Sequence, residues 1–456
     1  MPCAATLARV YPGQNKLRKH QTVRRIAIPL LAVSLGVIAN AGADGMLDPS
    51  FGNGGLVVTT FPGNPLLTFD GAAALVILPD GRAVAAGSVG DPDGHNMGAA
   101  RYMTSGALDT TFSGGGLAIV GGCSSIGDGG GASAALLQPD GRLVLVGECP
   151  GGFSLSLARL NVDGSLDTSF GTGGQVLTPI PPGPVFAAGG LLQPDGKIVV
   201  VGFGCGGGAC ALKAARYNPG GSLDPSFGTA GTLTLPLAQS FLTQDAVLQA
   251  DGKLVIAGTY GPSAGPHDFA LVRLLPSGAP DLSFDGDGLA TASFGGNESV
   301  WSVIVLPDGR IVIGGKHNTD FGLVRFLPGG SLDTTFGAGG LATASNGGPV
   351  SAGDVIRLPN DNLMIAGSAD GPGAAKDFLL ARFLPGGALD TSFGTAGFLR
   401  TDFSASQEGC AAVALAAPDR ILTAGTISSP PGFPGDFALA RYIATTPVEL
   451  LMFEVQ

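Results

Sequence analysis

The segment that decides the fold is LDTSFGTGGQVLTPIPPGPVFAAGGLLQPDGKIVVVGFGCGGGACALKAARY, residues 166–217. It contains three markers, LDTSFG at its start, PDGK near its middle and ARY at its end. The first marker recurs at intervals of about 57 residues, beginning at Leu47, Leu108, Leu166, Leu223, Pro280, Leu332 and Leu389. Self-similarity at a nearly constant period predicts a repeat architecture.

The second and third markers agree with the first in number and order. The turn marker begins at Pro79, Pro139, Pro194, Ala250, Pro307, Pro359 and Pro418, and it reads PDG in most copies. The third marker carries the arginines Arg101, Arg159, Arg216, Arg273, Arg325, Arg382 and Arg441. Between the markers, short aliphatic and β-branched runs are separated by Gly, Pro and Asp, a pattern that predicts four strands per unit.

Composition supports a packed β protein. The chain has 77 Gly and 33 Pro in 456 residues, about a quarter of the chain against about 12% in average proteins. Yet 45% of the residues are hydrophobic and only 13% are charged, which excludes a disordered or collagen-like chain. A single four-stranded unit cannot bury both faces, so the units must stack. We therefore predict an all-β, seven-bladed β-propeller of four-stranded antiparallel blades, spanning residues 44–444.

The order of the markers predicts how the ring closes. The strand GLVVTTF, residues 55–61, follows a first marker, but no strand of that kind follows Arg441. We expect it to complete the last blade beside the ARY strand, which makes the strand before PDG the innermost one. Four consecutive strands per blade without such a latch stay an alternative.

The connections predict two different faces. Alternate connections of a meander emerge on the same side, so the PDG turns and the LDxSF connections share one face. The opposite face carries loops that differ between copies: 90–97, 260–268, 316–320 and 428–436. Rigid scaffolds place recognition on such loops, and that face is the predicted binding surface. Neutral drift of solvated loops is the alternative.

The first 43 residues predict export. A basic leader precedes the apolar run IAIPLLAVSLGVIA, residues 26–39, and Ala41-Gly42-Ala43 follows it. This layout is typical of a secretory signal peptide, with cleavage expected near Ala43, and the apolar run is shorter than the ~20 residues that span a bilayer. An uncleaved anchor is the alternative. We predict a secreted or periplasmic protein, and we assign no role to the C-terminal tail, residues 445–456.

The net charge of the chain after the leader limits the classes of partner that it can bind. The net charge is −11, but the leader holds six basic and no acidic residues, which leaves 18 basic against 35 acidic residues and a net charge of −17. Such a surface repels phosphate backbones, so we predict no nucleic-acid partner. We also predict no membrane span in the mature chain, and a monomer.

The repeated residues are predicted to be structural. Seven copies of an aspartate suit a turn that recurs in every blade, since a catalytic site needs only one constellation. We therefore expect the LDxSF aspartates to accept hydrogen bonds from nearby backbone N–H groups. The repeated arginines are expected to bridge neighbouring sheets.

The markers resemble the delta-60 repeat family of bacterial exported proteins. LDxSFGxxG, PDG followed by Arg or Lys, and a strand ending in Arg-Tyr or Arg-Phe carry this resemblance over residues 47–442. It implies a propeller-like fold without an established enzymatic activity. The fifth opening, PDLSFDGDG at Pro280, and the last two turn markers depart from the pattern.

Candidate ligand residues come from the variable face and from the only Trp. The mature chain has three histidines on three variable loops, which a single three-histidine metal site does not suit. The candidates for ligand contact are His95, Tyr260, His267, Asp268, Trp301, His317, Asp320 and Phe433.

Cysteine usage suits an exported protein. We predict two disulfides, Cys205–Cys210 and Cys123–Cys149, with Cys410 left over. We predict no cofactor. The oxygen-rich segments DPDG at 91–94 and DGDG at 285–288 lack the EF-hand spacing, and a structural Ca²⁺ there is the alternative.

These observations predict a binding or scaffold module for a protein, a glycan or an envelope component. An enzyme, either a hydrolase or a lyase with a site at the channel mouth, is the first alternative, and absence of enzyme activity is favoured. A purely structural exoprotein is the second alternative.

Overall fold

The computed structural model describes residues 44–62, 70–91, 94–121, 130–149, 154–206, 208–371, 375–403, 407–428 and 435–444, with only the backbone of residues 91, 94, 95 and 352. The predicted signal peptide and the C-terminal tail lie outside these ranges. Strands, turns and bends make up the described residues, without a helix, so the predicted all-β class is confirmed. No helix that could cross a membrane occurs in these ranges.

The chain begins with two short strands and continues with five four-stranded antiparallel sheets, which we number 1 to 5. The two short strands are β1 (Met46–Leu47) and β2 (Leu56–Thr59). Sheet 1 contains β3 (Gly71–Ile77), β4 (Ala83–Asp91), β5 (Gly94–Tyr102) and β6 (Leu117–Val120). Sheet 2 contains β7 (Ala132–Leu137), β8 (Leu143–Glu148), β9 (Ser154–Leu160) and β10 (Gln175–Pro179). Sheet 3 contains β11 (Phe186–Leu192), β12 (Ile198–Gly206), β13 (Ala209–Tyr217) and β14 (Thr232–Leu235). Sheet 4 contains β15 (Ser240–Leu248), β16 (Leu254–Gly261), β17 (Asp268–Leu274) and β18 (Leu289–Ala292). Sheet 5 contains β19 (Glu298–Val305), β20 (Ile311–His317), β21 (Asp320–Phe326) and β22 (Leu341–Ala344).

The remaining strands form one nine-stranded sheet, built from two meanders and β1. The penultimate meander contains β23 (Val350–Arg357), β24 (Leu363–Asp370), β25 (Lys376–Phe383) and β26 (Phe398–Thr401). The closing meander contains β27 (Gln407–Ala417), β28 (Arg420–Ser428) and β29 (Gly435–Ile443), with β2 as its fourth strand. A single parallel bridge, Lys376 to Gln407, joins the two meanders.

The first strands of the meanders form a closed inner ring. They contact one another in the order β3, β7, β11, β15, β19, β23 and β27, and β27 contacts β3 again. Hydrophobic clusters fill the space between successive sheets, including the space between the closing meander and sheet 1. Sheets stacked radially around an axis define a β-propeller, and the strand before each PDG turn is the innermost one, as predicted.

Hydrogen bonds between the two ends of the chain close the ring. Strand β2 pairs antiparallel with β29, with Leu56 opposite Ala440 and Thr59 opposite Phe437. Strand β1 extends the same edge, where Met46 lies opposite Ile443. The predicted latch is therefore confirmed. Pairing of β2 leaves no unpaired edge on β29, and unpaired edges promote aggregation.

The PDG turns close with their third residue in the left-handed region of the backbone. In sheet 1 the N–H of Gly81 donates to Leu78 O at 2.9 Å, and Gly81 has a φ of 84°, a conformation that glycine adopts without strain. In the penultimate meander, where the marker reads PNDN, Asp361 takes this position with a φ of 66°. Asp tolerates the left-handed region better than most residues, so the turn persists there without glycine.

We call the side of the ring that carries the PDG turns and LDxSF connections the turn face, and the opposite side the loop face. Arg82, which follows the PDG turn of sheet 1, contacts Asp109 of the LDxSF connection in the same sheet. Lys197 contacts Asp224 in the same way in sheet 3, at 3.2 Å. The two kinds of connection therefore share one face, as predicted.

Candidate ligand-binding site

The repeated side chains of the turn face form a framework, which we call the clasp. In sheet 3, Arg216 Nε donates to Asp224 Oδ2 at 2.8 Å and Arg216 Nη2 donates to Ser226 Oγ at 2.9 Å. Asp224 Oδ1 accepts the N–H of Ser226 at 3.1 Å. The guanidinium lies over the ring of Phe227, 4.9 Å from its centroid. The predicted role of the aspartate as a backbone acceptor is confirmed.

Each clasp also reaches the next meander. Arg216 donates to Pro276 O in sheet 4, and the equivalent Arg273 donates to Pro328 O in sheet 5 at 2.6 Å. In the closing meander Arg441 Nε donates to Asp48 Oδ2 at 2.9 Å and Arg441 reaches Thr104 O in sheet 1. The predicted bridging by the arginines is therefore confirmed, and it continues across the junction of the chain ends.

The clasp carboxylates are stabilised in their ionised form. Burial alone would raise the pKa of Asp48, but hydrogen bonds from Ser50 and Arg420 and the charge of Arg441 lower it to about 2. The hydrogen bond from Ser226 lowers the pKa of Asp224, and Lys197 and Arg216 add to that effect. Hydrogen bonds and opposite charges favour the ionised carboxylate. On the turn face, charges serve to hold sheets together.

The predicted ligand residues of the loop face have different fates. His95 lies on β5 with only its backbone described, and Phe433 lies outside the described residues. Tyr260 is 9% exposed and belongs to the hydrophobic cluster between sheets 3 and 4. Tyr260, predicted to lie on the variable loop 260–268, is instead a core residue, because β16 continues to Gly261 and carries the ring into the core.

His317 is the centre of a polar network that involves a carboxylate sequence reasoning missed. His317 Nδ1 lies 2.9 Å from Glu298 Oε1, and its Nε2 lies 3.1 Å from Asn318 Nδ2. Asn318 Oδ1 accepts the N–H of Asn297 at 3.1 Å, which orients the amide so that Nδ2 donates to the histidine. With this amide orientation His317 Nε2 accepts from Asn318, and His317 Nδ1 is the ring nitrogen that faces Glu298.

Glu298 is wholly buried, and its Oε2 has no hydrogen-bond partner. Burial raises the pKa of Glu298, and the nearby Asp268 raises it further against the effect of His317. Glu298 N donates to His267 O at 3.0 Å, and His267 N donates to Asn297 Oδ1 at 3.4 Å. The structure thus brings His267, Asp268 and His317 into one region around Glu298.

Asp320 is the cross-strand partner of His317 at a tight turn. The variable segment 316–320 is therefore the tip of a hairpin. Asn318, the first residue of the turn, has a φ of 55°, a conformation that asparagine adopts more readily than most residues.

A second chain of contacts fixes the neighbouring loop. Cys205 and Cys210 lie directly opposite each other on β12 and β13 and form a disulfide. Cys210 N donates to Ser240 Oγ at 3.2 Å, and Ser240 Oγ lies 3.3 Å from Ser263 Oγ. Ser263 Oγ donates to Gly208 O. The hairpin of sheet 3 therefore holds the loop of sheet 4 that leads to His267.

The other cysteines are placed as follows. Cys149 is disulfide-bonded, and its predicted partner Cys123 lies outside the described residues. Cys410 is a buried free thiol whose pKa is raised by burial and by the charge of Asp354. A raised pKa keeps this thiol protonated and unreactive.

The inner ring contains two carboxylates that sequence reasoning missed. Asp245 follows a β-bulge in β15, and its Oδ2 accepts the N–H of Val303 on β19 at 3.0 Å. Asp354 follows the equivalent bulge in β23, and its Oδ2 accepts the N–H of Val413 on β27 at 3.2 Å. Ser302, at the same position in β19, donates to Asp354 Oδ1 at 2.7 Å.

Both inner-ring carboxylates lack a cation among the described residues. Burial raises the pKa of Asp245 to about 7, and the charge of Asp354 adds to the rise. Burial also raises the pKa of Asp354. Trp301, the predicted candidate on the inner ring, occupies the bulge position of β19 and is half-buried. The signal available in the sequence was an aspartate in strands whose other copies carry Ala, Gly or Ser at that position.

The opposite arc of the inner ring holds a cavity of about 340 Å³. Its walls are made of small residues from β3, β7 and β11, including Ala73, Ala132 and Ser133, and its one charged side chain is Glu148 at the end of β8. Glu148 Oε2 accepts the N–H of Ala187 at 3.1 Å. Burial raises the pKa of Glu148, and this hydrogen bond only partly offsets the rise.

One group of side chains has the spacing of a metal site. Asp377, Asp402 and Glu408 each place an oxygen within 4.8 Å of the others, a donor set that suits a hard cation. Arg400 donates to Asp377 Oδ2 at 2.9 Å, so a protein cation already neutralises part of this cluster.

The segments predicted as alternative Ca²⁺ sites lie elsewhere. In DGDG, Asp285 has a φ of 49°, and its N–H donates to Gly329 O at 2.8 Å. Asp287 Oδ1 accepts the N–H of Leu289 at 2.9 Å. These contacts give both aspartates a role in the turn. Segment 91–94 is only partly described.

Comparison with known proteins supports a β-propeller repeat family. The family model described as "Domain of unknown function (DUF5122) beta-propeller" matches residues 138–170, 193–227, 249–284, 306–336 and 358–393. Each matched segment begins immediately before a turn marker and ends at the phenylalanine of LDxSF. The family model therefore matches the PDG turn, the two strands that follow it and the clasp residues. The matched segments do not include the innermost strands. No curated protein matches the chain.

Several solved structures are similar at low identity. A protein of unknown function from Dyadobacter fermentans is 14% identical, with 86% of this chain and 100% of that chain covered and a TM-score of 0.47. The polysaccharide lyase Uly1 is 12% identical over 82% and 90%, with a TM-score of 0.44. Chaetomium thermophilum Sqt1 is 13% identical over 83% and 96%, with a TM-score of 0.43. At these scores the similarities carry no argument about this chain.

Proposed function

We propose that the chain is an exported, seven-bladed β-propeller of the delta-60 repeat type that binds a protein, glycan or envelope component through its loop face. Five four-stranded sheets and the two meanders of the nine-stranded sheet support the blade count. The leader with its expected cleavage near Ala43 and the Cys205–Cys210 disulfide support export to the periplasm or the cell exterior, because disulfides persist in oxidising compartments. The mature protein acts as a monomer without a cofactor.

One observation carries the choice of face: the two faces use their acidic residues in opposite ways. The clasp aspartates of the turn face are paired with Arg or Lys and have lowered pKa values. Glu148, at the loop-face end of β8, and Asp245, within the inner strand β15, have raised pKa values and no cationic partner among the described side chains. Groups with perturbed pKa values and unmet charge are typical of functional sites.

Several loops of the loop face are already held in place by hydrogen bonds. Hydrogen bonds connect the disulfide hairpin of sheet 3 to the loop of sheet 4 through Ser240 and Ser263. Thr319 O, in the hairpin of sheet 5, accepts the N–H of Val350 at the start of the penultimate meander at 2.9 Å. A preorganised rim binds without a large entropic cost of ordering, which favours recognition over neutral drift of these loops.

The test compares two variants that lose the same charge on opposite faces. The loop-face variant is Asp268→Asn with Asp320→Asn, and the turn-face control is Asp195→Asn with Asp308→Asn. Both are screened with the wild type on an array of defined glycans, peptidoglycan fragments and peptides. We expect a ligand whose binding falls at least fivefold in the loop-face variant and less than twofold in the control. A ligand lost in the control alone, or a hydrogen-exchange footprint on the PDG turns, would contradict the assignment.

An enzyme is the second candidate, and the geometry of His317 is the observation that favours it. A histidine oriented by a buried carboxylate is an arrangement that general-base catalysis uses. The test is incubation with the same polysaccharides, followed by measurement of reducing ends and of the ultraviolet absorbance of unsaturated products. Turnover by the wild type that disappears in His317→Gln would favour an enzyme. Absence of turnover in the wild type would favour the binding module.

A further inference from the structure

We propose that the cavity on the arc of β3, β7 and β11 binds a primary ammonium group on an aliphatic stem, presented by a lysine side chain of a protein partner. This inference rests on the proposed function, because it names the chemistry that the loop face would recognise. It is carried by the shape of the cavity, by a carboxylate that no described cation neutralises and by the distribution of charge along the described inner strands.

Two of the wall residues are glycines because the neighbouring strands pack too closely there for a side chain. A Cβ on Gly147 would lie 2.1 Å from Gly131 O, and a Cβ on Gly131 would lie 2.5 Å from Ser88 Cβ. Glycine is therefore required at both positions. Alanines supply much of the remaining wall, so its surface is mostly aliphatic. A volume of about 340 Å³ is at the small end of the ~300–1,000 Å³ of small-molecule sites, a size that suits one side chain.

The cavity lacks the positive charge that its carboxylate requires. Glu148 accepts one backbone N–H, from Ala187, and no described Lys or Arg pairs with it. A carboxylate that burial has partly desolvated is stabilised by a cation close to it. The hydroxyl of Ser133 donates to Val146 O at 3.3 Å, which leaves its oxygen free to accept an N–H from a ligand.

Charge along the inner ring adds to this preference. The innermost strands carry the acidic residues Asp245, Glu298, Asp354 and Glu408. Their one basic residue is Arg357, at the turn-face end of β23, where it is bound to Asp361. The described inner strands therefore place no cation near the cavity that would compete with the ammonium group of a ligand for Glu148.

The aliphatic walls of the cavity favour a lysine side chain over an amino sugar as the source of the ammonium group. A lysine side chain has a four-carbon stem that packs on apolar surface while its ammonium reaches a polar group. An amino sugar carries hydroxyl groups around its ring, and the alanines and glycines of the wall offer those groups no side-chain partners. The cavity therefore fits lysine better than glucosamine.

The test titrates the complete mature protein with Nα-acetyl-lysine methylamide by isothermal titration calorimetry. Nε-acetylated lysine methylamide is the neutral matched ligand, and glucosamine represents the alternative source. We expect the lysine derivative to bind at least tenfold more tightly than either. Glu148→Gln should weaken its binding at least tenfold, and Ala73→Leu, which fills the cavity without changing charge, should do the same. Asp287→Asn, an exposed acid on the turn face, is the control and should change the affinity less than twofold.

Each other outcome overturns the proposal. Equal binding of the acetylated ligand, unchanged affinity in Glu148→Gln, or no measurable binding of the lysine derivative to the wild type would exclude the ammonium site. Tighter binding of glucosamine would exclude lysine as the ligand. Folding is checked by thermal unfolding, since Glu148→Gln removes a desolvated charge and should melt no lower than the wild type. The loop-face variant, Asp268→Asn with Asp320→Asn, tests the proposed function separately, because neither residue lines the cavity.

Discussion

The turn face and the inner ring use the same residue type in opposite electrostatic settings. Asp48 on the turn face receives hydrogen bonds from Ser50, Arg420 and Arg441, and its pKa falls to about 2. Asp245 on the inner ring receives two backbone N–H bonds and no described cation, and its pKa rises to about 7. Aspartates that recur in every blade and pair with a cation belong to the structural framework. Acidic residues that do not recur, and that no described cation neutralises, indicate a region where a ligand can bind.

The largest expected effect breaks the framework where the two chain ends meet. Removing residues 44–61 deletes β2 and the Asp48 carboxylate, so β29 loses a strand partner and Arg441 loses its clasp acceptor. We expect aggregation and loss of cooperative melting, because the exposed edge of β29 recruits other strands. Light scattering and differential scanning calorimetry measure both.

The matched control for the deletion is a chain that begins at Asp44, which lacks only the leader. A 62–456 chain that stays monomeric and melts like the 44–456 chain would show that the end-to-end pairing is dispensable.

A single clasp can be broken inside one sheet. Asp224→Ala leaves the buried Arg216 without its carboxylate and removes an acceptor for the Ser226 N–H. Removing one partner of a buried ion pair costs about 3–5 kcal/mol, which urea unfolding should show as a lower midpoint. Asp195→Asn, an exposed acid beside Lys197 in the same sheet, should cost less than about 1 kcal/mol. Equal effects of the two substitutions would contradict the distinction between clasp and surface pairs.

The dependence of stability on pH should separate the two regions. Asp245 has an ordinary pKa of 3.8 and a native pKa of about 7. The native state therefore keeps a proton that the unfolded chain releases, and this contribution makes stability fall as pH rises from about 4 to 7. Asp48 has a native pKa of about 2, so its contribution is present above about pH 4 and is lost as pH falls toward 2.

The measurement is the free energy of unfolding at a series of pH values. We expect Asp245→Asn to flatten the decrease between pH 4 and 7, by about 3–4 kcal/mol in total, and Asp48→Asn to flatten the loss below pH 4. The slope is the readout, since each substitution also changes hydrogen bonds that act at every pH. A wild-type curve whose slope between pH 4 and 7 survives in Asp245→Asn would show that this carboxylate is not the group that titrates.

The smallest expected effect concerns the hydrogen-bond network of His317 and Glu298 at the loop face. His317→Ala leaves the wholly buried Glu298 with only the N–H of Gly296 on its Oε1. Loss of a partner from a buried polar group costs about 1–3 kcal/mol. His267→Ala, whose described hydrogen bonds use its backbone, should change stability by less than about 0.5 kcal/mol. A thermal melt distinguishes them, and a neutral His317→Ala would show that the network is not structural.

This contrast corrects one expectation from the sequence. The sequence places His267, His317 and Asp320 on variable surface loops, where their joint replacement would leave the melting temperature nearly unchanged. His317 instead contacts a buried carboxylate, so it cannot be removed without a cost in stability. Variants that test binding therefore use Asp268 and Asp320 and leave His317 in place.

The sequence by itself determined the features that repetition makes visible. The β class, the four-strand unit, the PDG turns, the clasp and the Cys205–Cys210 pairing follow from local patterns that recur or from residues close together in the chain. Turns and strand periodicity depend on residues that are close together in the chain. Each repeat shows the same local pattern again, which strengthens the prediction. Even the latch could be predicted, because a marker without its partner at one end must be completed from the other.

Only the tertiary structure decided which unrepeated residues meet. Glu148 and Ala187 are 39 residues apart and belong to different sheets, while Asp245 and Val303 are separated by 58 residues. No local pattern specifies such contacts, since they depend on how neighbouring sheets approach each other near the axis. The same holds for Tyr260, which an extended β16 carries into the core. Burial, and with it the raised pKa of an acid, is a property of surroundings that the folded ring creates.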